Sequence, residues 1–310
     1  MSVIIFILAL TGGFVLLVKG SDFFVDGAAG IARRFGIPQI IIALTIVAMG
    51  TSAPEAAVSI TAAFQGNADI SIGNIVGSNV LNVLIILGVC SVITPLAVKK
   101  ETIRYEIPFL FLTSLVLFLL GLDGQVTLVD GLILIFMFIV YLAYLFVSAK
   151  KNKEEPEDDK TQKSVPILIV YLIGGLAAVI IGSKLAVYGA TGIAEALGVS
   201  ERFIGLTVVA LGTSLPEMCT SIAAARKGNA DIAIGTIVGS NIFNILFVIG
   251  LTSLITNVPY QPKFIIDGLI MIGTTVFLWL CVFRTKKLHR AAGIVMLIMY
   301  AGYFVYLLNS

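Results

Sequence analysis

Apolar stretches of about 20 residues, the length a helix needs to cross the core of a bilayer, follow one another along almost the whole chain. They lie at roughly 3–22, 37–64, 70–96, 106–122, 127–148, 165–185, 203–225, 232–256, 265–283 and 291–308. Little is left over for a water-soluble domain. Charged residues make up 12% and apolar residues 58% of the chain, against roughly 25% charged in an ordinary soluble domain. Such a chain could not cover its own surface in water. The expected fold is therefore an all-α integral membrane protein with ten transmembrane helices. The first run lacks a basic leading segment and has a counterpart at 165–185, so it reads as a retained helix and not a secretory signal. Cys90, Cys219 and Cys281 all fall in apolar runs without CxxC spacing, which suits packing and implies no disulfide framework.

The basic residues orient the chain. The loops after the first, third, fifth, seventh and ninth runs carry sixteen of them, from Arg33 and Arg34 to Arg290, whereas the opposite loops carry only Arg202 and Lys263. The positive-inside bias makes the first side cytoplasmic, with both termini outside in the cell membrane. Asp22, Asp26 and Lys184 read as helix-end charges near the cytoplasm. The net charge of +2 is this topology signal. It points to no nucleic acid and to no obligatory protein partner; the surrounding partner is the lipid bilayer.

A charged segment, "AKKNKEEPEDDKTQKS" at 149–164, has five lysines and five acids and reads as a solvated cytoplasmic linker. On either side of it lies an internal repeat at a constant offset of 162, in which residues 50–88 and 212–250 match at 24 of 39 positions without gaps. The domains are then 1–148, an N-terminal five-helix repeat, and 165–310, a C-terminal one. Five is odd, so the second repeat enters the membrane from the opposite face and the two are inverted. Inverted repeats with broken helices at the midplane are a transporter arrangement.

The breaks are visible in "GTSAPEAAVSI" (50–60) and "GTSLPEMCTSI" (212–222). Pro54 and Pro216 lack the N–H that would bond the carbonyl four residues earlier. The carbonyls around Ala48 to Thr51, and around Ala210 to Thr213, are expected to lose their intrahelical partners, which a dehydrated cation could replace. Ser52-x-x-Glu55 and Ser214-x-x-Glu217 also fit a capping box that restarts a helix. That role does not explain the depth. Glu55 lies about 15 Å of helix rise before Gln65, near the middle of the core, where an acid costs at least about 2.5 kcal/mol. The second repeated block, "GNIVGSNVLN" (73–82) and "GTIVGSNIFN" (235–244), has Gly73/Gly77 and Gly235/Gly239 at a spacing that lets helices approach closely. Ser78 and Asn82 share a helix face, as do Ser240 and Asn244. The asparagines suit either an interhelical hydrogen bond or a place in the site.

Two carboxylates, two amide oxygens, four hydroxyls and freed carbonyls form an all-oxygen donor set. Hard cations such as Ca²⁺ prefer it, while softer metals want Cys or His, and the one histidine, His289, is in a loop. A site charge of −2 is neutralised by one Ca²⁺ or by two protons. Ions that compete for the same carboxylates must occupy them in turn, which is the basis of exchange.

These blocks, "GTSAPE…GNADISIGNIVGSNVLN" and "GTSLPE…GNADIAIGTIVGSNIFN", resemble the two alpha repeats of the calcium/cation antiporter superfamily, particularly its prokaryotic-type sodium/calcium exchangers. The resemblance spans nearly the whole chain. It implies a secondary antiporter, not an enzyme, whose first and sixth helices slide to alternate access. It also implies no cofactor, only the transported ions Ca²⁺ and Na⁺ in the site. By motif position, Glu55 and Glu217 would be the central ligands. Thr51 and Thr213 would add backbone carbonyls for Ca²⁺, and Ala48, Ala210, Ser52, Ser214, Ser78 and Ser240 would help flanking sodium sites. Asn82 and Asn244 would line the middle. An acid at the position of Asn244 is associated with potassium co-transport in one branch, so neutral Asn244 implies no potassium requirement. The large cytoplasmic regulatory loop of animal relatives is missing. Two rivals remain: a proton/calcium antiporter using the same glutamate pair, and a cation channel using the same oxygens without coupling.

Overall fold

The computed structural model describes residues 3–152, 163–197 and 210–309. Among them, eight helices are long and apolar enough to cross a membrane, and a ninth span is a pair of helices bent by 48°. In chain order the helices are α1 (Val3–Phe35), the bent pair α2 (Gln39–Thr51) and α3 (Ala53–Phe64), α4 (Ile70–Ile93), α5 (Thr102–Asp123), α6 (Leu128–Lys151) and α7 (Val165–Ala196). They continue with α8 (Ala210–Thr213) and α9 (Leu215–Arg226), then α10 (Ala230–Ile255), α11 (Lys263–Phe283) and α12 (Arg290–Leu308). The run expected at 203–225 begins outside the described residues, and most of the linker 149–164 lies outside them as well.

Burial sorts these helices. The most apolar window is 78% buried in α4 and 94% in α10, but only 17–22% in α1, α6, α7 and α12. So α4 and α10 form the interior, and α1, α6, α7 and α12 turn broad apolar faces to lipid, where burial inside the protein is not needed. In α10, Gly235 and Gly239 let the backbone meet α2: a Cβ on Gly239 would lie 2.8 Å from Leu44 Cα and from the Ala48 Cβ.

Two helices run further than expected. Hydropathy alone would end α1 near residue 22 and α7 near 185, yet they continue to Phe35 and Ala196. The reason is a contact between them that runs past the apolar segments. Gly13, Gly20 and Gly27 of α1 face α7, and Gly175, Gly182 and Gly189 of α7 face α1; a Cβ on Gly175 would stand 2.5 Å from the Phe24 backbone nitrogen. Glycine every seven residues on both partners brings the two backbones together along their length. Beyond the apolar run, Lys227 holds α1 by its side chain, donating to the Asp22 carbonyl at 2.7 Å and to Asp26 Oδ1 at 2.8 Å. The aspartates read as helix-end charges thus carry an ion pair to the α9–α10 loop.

Two short antiparallel ribbons, too brief to be signalled by alternation, tie the loops together. Leu96–Ala97 pairs with Lys287–Leu288, and Gln125–Val126 pairs with Val258–Pro259. The first joins the start of α5 to the end of α11; the second joins the end of α5 to the start of α11. Those two helices therefore run antiparallel. Adding 162 to Leu96 and subtracting it from Leu288 turns the first pair, Leu96↔Leu288, into the second, Val258↔Val126.

Candidate cation site

The breaks are local in origin. Pro54 and Pro216 sit in the first turn of α3 and α9, where a missing N–H breaks no intrahelical bond. Ser52 and Ser214 are the single residues between the helix pairs, with φ/ψ of −81°/7° and −87°/3°. The expectation that the carbonyls from Ala48 onward lose their partners is corrected at two points. The Ala48 carbonyl accepts from Ser52 N–H at 3.0 Å, from the Thr51 hydroxyl at 3.2 Å and from Ser240 Oγ at 3.3 Å. The Gly212 carbonyl, opposite the missing Pro216 N–H, accepts from Ser183 Oγ of α7 at 2.7 Å. Helix α2 runs on to Thr51 before it breaks, and a neighbouring helix supplies a hydroxyl, so these groups are met by protein.

The capping box does not form either. Neither Ser52 nor Ser214 makes a side-chain cap, in contrast to Thr127 and Asp130, which form one at the start of α6. Each serine reaches instead into the other half of the chain. Ser52 Oγ donates to Glu217 Oε1 at 2.7 Å, and Ser214 Oγ to Glu55 Oε1 at 3.3 Å. Each glutamate also receives a serine from its own half, Ser78 on Glu55 at 3.4 Å and Ser240 on Glu217 at 3.5 Å. A contact of 3.1 Å between Ser78 and Ser214 hydroxyls links the two sides. Both glutamates are fully buried. Their second oxygens, Oε2, have no hydrogen-bond partner.

Asn82 and Asn244 enter one turn further along α4 and α10, each at the start of a π-helical turn, Asn82–Leu87 and Asn244–Ile249. Turns of this kind occur often at functional sites. Both asparagines are fully buried, and both carbonyl oxygens Oδ1 are without partners. Their amide nitrogens are taken: Asn82 Nδ2 donates to Asn241 Oδ1 at 2.9 Å, and Asn244 Nδ2 to Asn79 Oδ1 at 3.2 Å. The bond expected between helices and the place in the site are thus both available to one side chain.

Of the twelve candidate residues, seven fall in two hydrogen-bond clusters, each drawn from both halves: Glu55 with Ser78 and Ser214, and Glu217 with Ser52, Ser240 and Ala48. Asn82 and Asn244 lie on the same helices as Ser78 and Ser240. The Thr51 hydroxyl turns back to its own helix, onto the Val47 and Ala48 carbonyls. Thr213 closes α8, and Ala210 opens it. Asn74, Asn79 and Asn241 were not singled out by the sequence. Asn74 Nδ2 bonds the Glu55 carbonyl at 3.3 Å and Ser59 Oγ at 3.0 Å, clamping α3 on α4. Asn79 and Asn241 stand in the twice-written "GSN", but the four-residue spacing from each serine draws attention to Asn82 and Asn244.

Among the described residues no three His, Cys, Asp or Glu side chains gather as a metal cluster. The chemistry here is different: four buried, unpartnered oxygens, two from carboxylates and two from amides, on elements contributed by both halves. A desolvated carboxylate or amide oxygen left unpaired is costly, and a hard cation is the partner it lacks.

An apolar bundle with interior acids at paired helix breaks defines a membrane transporter of the cation-exchange class. The chain belongs to the sodium/calcium exchanger family, whose model, described as sodium/calcium exchanger protein, matches residues 5–147 and again 167–309. It is 39% identical to a putative antiporter CaxA of Alkalimonas amylolytica, over 96% of this chain and 97% of that one. It is 30% identical to sodium/calcium exchanger MaX1 of Methanosarcina acetivorans, over 97% of each. A solved structure of the sodium-calcium exchanger NCX_Mj is similar at 34% identity with a TM-score of 0.88, covering 99% of this chain and 100% of that one.

Proposed function

We propose that the chain exchanges Ca²⁺ for Na⁺ across the cell membrane by alternating access, with Glu55 and Glu217 as the ligands both ions must share. It does so as ten spans in two inverted five-helix repeats, with both termini outside and the linker 149–164 in the cytoplasm. The observation that carries this reading is the set of unpartnered oxygens: Glu55 and Glu217 Oε2 together with Asn82 and Asn244 Oδ1. Two carboxylates give −2, which one Ca²⁺ neutralises. Neutral amide and hydroxyl oxygens beside them suit Na⁺, because a proton needs no such ligands. The antiparallel α5 and α11 and the 162-residue exchange of the two ribbons support the inversion. The ribbon at Leu96–Ala97 and Lys287–Leu288, which draws two lysine-rich loops together, supports the orientation. Thr51, Thr213 and Ala210 would add backbone carbonyls, and Ser52, Ser214, Ser78 and Ser240 hydroxyls, while the Ala48 carbonyl is already taken by three protein donors; the ions are cargo and no resident cofactor is needed.

The test is calcium uptake into proteoliposomes. An outward sodium gradient should drive uptake, with a response to imposed voltage and no need for potassium. Uptake that follows an outward proton gradient and ignores sodium would replace Na⁺ by H⁺ as counter-ion, and unitary currents would make the protein a channel.

A further inference from the structure

We infer that Asn79 and Asn241, which touch no ion in the proposed function on which this inference rests, are positioning residues that force the oxygens of Asn82 and Asn244 to face the site. An asparagine amide is ambiguous: rotated by half a turn, it presents NH₂ where it had presented oxygen. An NH₂ turned toward a cation repels it, so a site built on asparagine needs something to fix the orientation.

Here the fixed point is backbone. Asn241 Nδ2 donates to the Asn79 main-chain carbonyl at 3.1 Å, and Asn79 Nδ2 donates to the Asn241 main-chain carbonyl at 3.2 Å. A carbonyl can only accept, so neither amide can turn over without losing its partner and opposing two oxygens. With its nitrogen held there, the Oδ1 of Asn241 points the other way and can only accept, which it does from Asn82 Nδ2 at 2.9 Å. The same sequence of constraints runs from Asn79 Oδ1 to Asn244 Nδ2 at 3.2 Å. In both halves the polarity passes from a main-chain carbonyl, through one amide, to a second amide whose only remaining polar atom is an oxygen. Those are the two amide oxygens that remain unpartnered. All four side chains are at most 1% exposed, so water does not supply competing partners. The links cross between α4 and α10, so each half sets the amide that the other half presents.

The test uses the full-length protein and calcium itself as the probe, with affinity read by titration calorimetry and uptake by proteoliposomes. Asn241→Leu keeps the branched shape, removes the acceptor facing Asn82 and frees that amide to turn; calcium affinity is expected to fall tenfold or more. Asn82→Asp supplies a side chain with oxygen at both ends, which needs no orienting. Its added charge strengthens calcium binding by itself, so the comparison is made within that background, where adding Asn241→Leu is expected to change calcium affinity by less than about threefold. A purely structural role for Asn241 would cost the same factor in both backgrounds. The mirror pair, Asn79→Leu with and without Asn244→Asp, repeats the test if one leucine variant does not fold. Unchanged affinity in both leucine variants, or a leucine loss as large beside the aspartate as beside the asparagine, overturns the inference while leaving the exchange reading in place. Failure of the unmodified protein to bind calcium overturns both.

Discussion

Replacing Glu217 by glutamine separates what the site does for the ion from what it does for the fold. The substitution keeps shape and keeps Oε1, so Ser52 still donates at the position it now occupies, 2.7 Å away. What changes is one unit of charge, and the unpartnered Oε2 becomes NH₂. At an effective dielectric of about 20 and a contact of about 2.4 Å, that charge attracts Ca²⁺ by about 14 kcal/mol and Na⁺ by about 7 kcal/mol. Much of this is offset by stripping water from the ion. If only a third survives as net binding, about 5 kcal/mol, calcium affinity still falls more than a thousandfold at about 1.4 kcal/mol per decade. The fold should respond in the opposite direction. A buried carboxylate is itself a cost, so the ion-free variant should unfold at the same temperature as the parent or a higher one. The assay is thermal unfolding with and without calcium, paired with sodium-driven calcium uptake. Glu217→Gln should lose both the calcium-induced rise in Tm and the uptake, with no loss of Tm in the ion-free state. Undiminished uptake, or an ion-free variant that melts well below the parent, would refute the reasoning.

Three further outcomes are expected. Ser52→Ala removes the shortest hydrogen bond to Glu217 Oε1, 2.7 Å, while the 3.5 Å contact from Ser240 remains, and so loses a charge-assisted bond of about 1.5–3 kcal/mol; a sodium titration should show affinity down about tenfold or more, with helix content unchanged because Ser52 caps nothing. Gly175→Val places a Cβ 2.5 Å from the Phe24 backbone nitrogen and 2.8 Å from the Gly20 carbonyl, so α1 and α7 must part; a stability loss of about 1–3 kcal/mol and a slowed exchange rate should appear together in denaturation and uptake measurements. Lys227→Gln removes a surface ion pair worth less than about 1 kcal/mol, so Tm should hardly move, while amide hydrogen exchange should quicken over residues 22–35 once the end of α1 is untied.

The apolar runs and the repeated blocks made most spans legible, because a helix in hydrocarbon must be long and apolar. The ends of α1 and α7 were not, since what extends them is a seven-residue glycine contact between helices 162 residues apart in sequence. The ribbons escaped notice because two residues carry no alternation. The acids and the serines of the breaks could be picked out from their improbable depth. Their partners could not. Ser52 followed by Glu55 spells a cap, and only the approach of the other half shows the hydroxyl turned outward to Glu217. Ser21 and Ser183 are counterparts in the repeat, yet Ser183 bonds the Gly212 carbonyl while Ser21 Oγ is buried without a partner; identical letters do not reveal which half makes the contact.

What the sequence alone determined is the solvent and the inventory: a chain too apolar for water, two breaks, two acids and a set of oxygens with no softer ligand among them. Hydrophobicity and residue chemistry act locally and can be read in one dimension. Tertiary structure decided which oxygens are spent on the protein and which are left over. Each buried donor and acceptor is settled by whatever lies opposite it in space, and for Ser52 that is a glutamate 165 residues away.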